Sequence, residues 1–164
     1  MPEGWVFDSS PLIVLGKIQS LELLTRLPGT TIVPKSVVAE LIAGPALDPA
    51  RRWIASRGCR AKKPSVKVDG RVARWDLGPG ESAVISLAQS RPRHTAILDD
   101  RQARACAASL GVRFKGTLGL LLWMRQNGAI ALLKPLLDKI IETDFRIDEA
   151  LIRESLILAG EEKS

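Results

Sequence analysis

The chain has 164 residues, 46% hydrophobic and 26% charged, with a net charge of +6 and a pI near 9.7. That mix suits one folded domain over residues 1–164 with a full core. No apolar run approaches the roughly 18 residues of a membrane span. The N-terminus is too short and acidic before its first apolar run to read as a signal peptide, so the expected location is cytoplasmic with no membrane partner. Cys59 and Cys106 form no C-x-x-C pair, which leaves neither a zinc nor a disulfide signature.

In chain order, Trp5-Val6-Phe7 reads as a strand ending on Asp8, and Ser9-Ser10-Pro11 supplies a helix start at once. Leu12 to Leu27 reads as two helical pieces parted near Gly16 to Ser20. Pro28-Gly29 is a turn, Thr31-Ile32-Val33 a second strand, and Pro34 starts a helix through Leu41 and Ile42. Asp48-Pro49 opens another helix, and Ser65 to Val68 offers a further short strand. Glu81 to about Ser90 is a helix after a Gly-Pro-Gly loop. Thr95 to Leu98 reads as a buried strand ending in Asp99-Asp100, followed by a helix stopped at Gly111. Val112-Arg113-Phe114 is one more strand, Gly116-Thr117 leads into an apolar helix, and two helices finish the chain. The last, in about residues 145–164, carries Leu151, Ile152, Leu156, Ile157 and Leu158, an arc for packing on the body or on a partner. Alternating strands and helices predict an α/β fold, a central parallel sheet of four or five short strands flanked by helices.

Charge is unevenly spread. Between Arg51 and Arg74 lie nine basic residues against Asp69 alone, whereas Asp138 to Glu162 holds eight acids and three bases. A basic segment on a small protein suits a polyanion, nucleic acid first, although a solvated face explains it equally well. Asp8 and the Asp99-Asp100 pair each follow a strand and precede a helix, which puts them on one sheet edge. Glu81 falls on the helical stripe of Ile85 and Ala88 rather than on the wet side. Singly, each acid has a local explanation: Asp8, Asp99 or Asp100 as a helix cap, Glu81 as a first-turn acid, Glu40 as a surface residue. Jointly, carboxylates without histidine or cysteine nearby select hard cations, Mg²⁺ (or Mn²⁺). The hydroxyls of Ser9 and Thr117 could orient water or ligand, or cap their helices. His94, about 16 Å of strand from Asp99, is poorly placed as a base. No P-loop and no Gly-x-Ser-x-Gly elbow is present.

Asp8-Ser9-Ser10-Pro11-Leu12, Pro34 with Val37, Val38 and Glu40, Gly80-Glu81, Leu98-Asp99-Asp100 and Gly116-Thr117-Leu118-Gly119 together resemble a PIN-domain protein over nearly the whole chain. The resemblance implies a metal-dependent endoribonuclease of the toxin–antitoxin kind, with acids at Asp8, Glu40, Glu81 and Asp99 or Asp100. Of these, Asp8, Glu81, Asp99 and Asp100 are the expected metal ligands. It implies RNA as substrate, held by Arg101 and Arg104, a small antitoxin protein as partner, and a homodimer as a further association. A catalytically silent PIN-like binding protein is the alternative, and a receiver-type phospho-accepting domain fits less well. Two departures stand out: Glu81 replaces the aspartate of many relatives, and Leu98-Asp99-Asp100 replaces a Thr-x-Asp. Spacing aligns Asp100 with the family acid, and the choice between Asp99 and Asp100 stays open.

Overall fold

Gly4, Trp5, Val6 and Phe7 are buried, so the side chains on both faces of this strand meet protein. That is the signature of a central strand in a parallel sheet covered on both sides. The computed structural model, which describes residues 1–164, places β1 (Gly4–Phe7) between β2 (Thr30–Ile32) and β3 (His94–Ile97). The short β4 (Phe114–Lys115) completes an all-parallel sheet of order β2-β1-β3-β4. Gly4 faces Thr30 on one side and His94 on the other, and Phe7 faces Ile97. All strands therefore finish on one edge.

The strand order reverses direction between β1 and β3. From β1 the chain moves outward to β2, then crosses back over β1 to β3 and onward to β4. At such a reversal the flanking connections part, leaving a crevice at the carboxyl ends of the two strands. Asp8 follows one of them and Leu98-Asp99 the other. The Asp8 amide donates to Ile97 O at 3.1 Å, and Leu98 N donates to Lys115 O at 2.8 Å, so the ladder extends to the crevice floor.

Helices α1 (Ser9–Lys17), α2 (Lys35–Ala43), α3 (Pro49–Ala55), α5 (Pro79–Ser90), α6 (Arg101–Ser109) and α7 (Thr117–Gln126) match the expected pattern. A 3-10 turn, Leu21–Arg26, forms the second piece after α1. The short α4 (Gly70–Ala73), capped by the Asp69 carboxylate, carries no periodic signal. Helices α8 (Lys134–Ile141) and α9 (Glu149–Leu158) close the chain.

The expected strand at Ser65–Val68 does not form. The chain instead joins the sheet earlier, where Lys62 bridges Ile32: Lys62 N donates to Thr31 O at 2.9 Å and Val33 N to Lys62 O at 2.8 Å. Pro64 then accepts from Lys35 N. With no amide proton of its own, proline suits an outer segment whose far side needs no partner.

The core is one cluster of 38 buried residues running from Trp5 to Ala159. Trp5 is fully buried, packs edge-on against Trp123 with ring centroids 4.7 Å apart, and donates its indole N–H to Pro28 O. Trp53 and Trp75 are half-buried against the same core.

Helix α9 packs on α7, burying Leu156 and Ala159 while leaving Leu151 and Leu158 exposed. Just beyond it, the Glu161 carboxylate accepts from Leu133 N at 2.6 Å, Lys134 N at 2.8 Å and Arg125 Nε at 3.1 Å. It caps the start of α8 and pins the chain end to α7. Its side chain is only 6% exposed. Glu161→Ala should therefore lower stability by about 2–4 kcal/mol, since two amides and a guanidinium lose their acceptor together. A urea titration checks this.

Candidate active site

The five candidate acids lie near one another at the edge where the sheet reverses: the charges of Glu81, Glu40 and Asp99 act on Asp8, and those of Asp100 and Glu40 on Glu81. Asp8 is the deepest, at 4% exposure. It occupies the N-cap position of α1, yet its side chain makes no capping bond, and its Oδ1 is buried with no hydrogen-bond partner. The cap explanation for Asp8 therefore fails. Burial pushes its pKa from 3.8 up to about 7, with the Ser9 amide partly offsetting this and the charges of Glu81, Glu40 and Asp99 adding to it.

Glu81 sits in the first turn of α5, half-buried. Its carboxyl is raised above the usual range by burial, then by the charges of Asp100 and Glu40, against a smaller opposing effect of the Gly78 amide. The electrostatics thus link all five acids, with Asp8 and Glu81 most perturbed.

Asp99 is held from several sides. Its carboxylate accepts from Thr117 N at 2.8 Å, Thr117 Oγ1 at 2.7 Å and Ser10 Oγ at 3.4 Å. Thr117 is the first residue of α7, so Asp99 lies against that helix's free amides and positive end. Arg104 Nη2 approaches Asp99 to 3.7 Å while its Nε donates to Leu98 O at 2.8 Å. A side chain at Gly116 would collide with that guanidinium, so glycine there makes room for Arg104.

Asp100 takes the capping role instead. It is the N-cap of α6, and one carboxylate oxygen accepts from Ala103 N at 2.9 Å. Of the two caps the sequence leaves open for this helix, Asp99 and Asp100, it is Asp100 that serves. This frees Asp99 for the crevice.

Glu40 is exposed, as its helical position suggests, but it is not idle. One oxygen accepts from Ser9 Oγ at 3.0 Å and the other from Gly80 N at 2.9 Å. A side chain at Gly80 would occupy the carboxylate's place. Glu40 therefore joins the starts of α1 and α5. Ser9, Ser10 and Thr117 direct their hydroxyls at acids rather than capping their own helices. Ser10 had no separate signal in the sequence, because its partner lies 89 residues away. Arg101 is exposed at the start of α6, one residue past Asp100.

His94 lies at the opposite end of β3, where burial lowers its pKa, so it takes no part in this cluster. The acids crowd one crevice, although no three of them close into a finished metal cage in this conformation. The donor set is nonetheless all oxygen, and an unpartnered buried carboxylate oxygen is the kind of atom a hard cation satisfies. The residues fit a divalent ion of the Mg²⁺ type.

An all-parallel α/β sheet with acids gathered at its reversal point defines the class of site, one suited to a hard cation. A family model described as DUF3368, PIN domain, matches residues 4–161, and the chain belongs to that family. No curated protein and no solved structure gives a significant match. No helix is long and apolar enough to cross a membrane.

The Asp8 shift has a consequence for stability. In the unfolded chain Asp8 titrates near 3.8 and in the folded protein near 7, so between those values the folded state binds the extra proton. Its contribution therefore falls as pH rises from about 4 to about 7. In EDTA, Asp8→Asn should exceed the parent in stability at pH 8 by roughly 2–4 kcal/mol, with the gap closing by pH 4. Paired denaturant titrations across pH measure it.

Proposed function

We propose that this protein is a Mg²⁺- or Mn²⁺-dependent endoribonuclease, acting as the toxin of a toxin–antitoxin pair. The observation that supports the metal-dependent reading is the buried Asp8, its Oδ1 left without a hydrogen-bond partner, beside the charges of Glu81, Glu40 and Asp99. Asp8, Glu81, Asp99 and Asp100 would hold the ion. When bound, it supplies Lewis-acid polarisation of the phosphate and a more acidic attacking water.

The chain's own groups do the rest. The carboxylates of the cluster would orient the attacking water, and one of them would accept its proton. The water oxygen bonds to phosphorus, the P–O3′ bond breaks, and the departing oxygen is protonated to a 3′-hydroxyl, leaving a 5′-phosphate. Arg104, fixed by Leu98 O and Asp99, and the exposed Arg101 hold the substrate phosphates. Ser9, Ser10 and Thr117 keep Glu40 and Asp99 in orientation. The antitoxin would cover the apolar surface around Ile141, Leu151 and Leu158, beside the groove of Phe145 and Ile147. A homodimer would use the same face.

A silent PIN-like protein that binds RNA or a partner without cutting is the second reading, favoured by the incomplete metal cage. Incubating metal-depleted protein with single-stranded and structured RNA separates the two. Mn²⁺ or Mg²⁺ should start cleavage, and Asp8→Asn or Glu81→Gln should slow it at least about 100-fold. Cleavage that persists in EDTA overturns the metal reading; RNA left whole under every metal condition supports the silent one.

A further inference from the structure

Away from the acids, a cavity of about 360 Å³ opens where the 3-10 turn, the end of α3, the Gly58–Lys62 loop and the start of β2 meet. Its volume falls in the range of small-ligand sites. Leu21, Leu24 and the half-buried Trp53 give it apolar walls, Thr30 and Thr31 line its floor, and Arg60 and Lys62 stand at it. Both cations are exposed and neither forms an ion pair, and no acidic residue lines the cavity. An aromatic wall with unpaired cations beside it matches a planar base attached to a phosphate.

Its position adds a second argument. The cavity borders Thr30 and Thr31, at the opposite end of β2 from the acid edge. Roughly 10–15 Å of strand separates Thr30 from Pro34. Between them runs the Lys62–Pro64 segment paired to the outer side of β2, and exposed Lys35 starts α2 at the acid edge. Arg60, Lys62 and Lys35 thus mark a basic course from cavity to crevice. This gives part of the Arg51–Arg74 segment a use that the crevice alone does not.

We infer that this cavity is a nucleotide subsite, taking one base and its phosphate from a single-stranded RNA whose backbone follows the β2 border to the crevice. The inference rests on the ribonuclease reading for its substrate, but its test does not rely on cleavage. A 5′-labelled 12-nucleotide RNA is titrated in EDTA by fluorescence anisotropy, with a mononucleotide as competitor. Arg60→Glu and Lys62→Glu, both solvent-facing, should each weaken binding about tenfold and flatten its salt dependence. Trp53→Phe, chosen to preserve packing, should abolish RNA-induced quenching of tryptophan emission while retaining most affinity.

Parent-like affinity in both charge variants, or quenching unchanged in Trp53→Phe, overturns the subsite. A mononucleotide binding as tightly as the oligomer overturns its assignment to a strand. RNA binding that depends on Arg60 and Lys62 without any metal-dependent cutting leaves the subsite standing and removes the nuclease reading. Cutting that is lost in Asp8→Asn while Arg60→Glu and Lys62→Glu bind normally does the reverse.

Discussion

A buried carboxylate with one oxygen left unpartnered is the constraint on which the rest of the structure turns. Asp8 gains nothing in stability from its position: it is desolvated, its Oδ1 is unbonded, and three other acids repel it. A core built for stability alone would place an apolar residue there. The surroundings instead hold the arrangement in place. Thr117 and Ser10 tether Asp99, Asp100 caps α6, and Glu40 grips the Gly80 amide. Each satisfied acid fixes a helix start, so the unsatisfied one is held in a rigid surrounding. Strain of this kind is tolerated where surrounding packing over-determines it.

The sheet explains how acids so far apart in the chain are gathered. A parallel strand must hand over to its connection at its carboxyl end, so every β-to-helix junction lands on one edge. Asp8 and Asp99 occupy adjacent junctions because β1 and β3 are neighbours. Glu81 arrives differently, on a helix that packs against both of those strands. A glutamate is one methylene longer than an aspartate, which gives a side chain at a helix start more reach.

Much of this was legible in the sequence, for a physical reason. Strand–acid–helix punctuation at Asp8 and Asp99 is local, carried by adjacent residues such as Val6-Phe7 and Ser9-Ser10-Pro11. The parallel sheet follows from that repeated grammar, while the PIN resemblance rests on motifs from Asp8 to Gly119 and is borne out by the family match. What stayed hidden depends on contacts across long stretches of chain. Glu40 looked like a surface residue because its partners, Ser9 and Gly80, lie 31 and 40 residues away. Ser10 reads only as part of a helix start, because its partner Asp99 lies 89 residues away. The Ser65–Val68 expectation failed because alternating valines describe a half-buried surface, not a vacant place beside another strand; that place went to Lys62.

That Lys62–Pro64 segment also governs what the sheet can do with its borders. An open parallel sheet ordinarily offers two rows of unsatisfied amides and carbonyls, each an invitation to a stranger's chain. Here one border is sealed by a lysine-bearing stretch ending in an imino acid, and the other is a strand of just two residues, Phe114 and Lys115. Neither gives a foreign strand a long run of backbone partners. A protein that must unfold and refold beside its own copies thereby has little surface on which edge-to-edge polymerisation can begin.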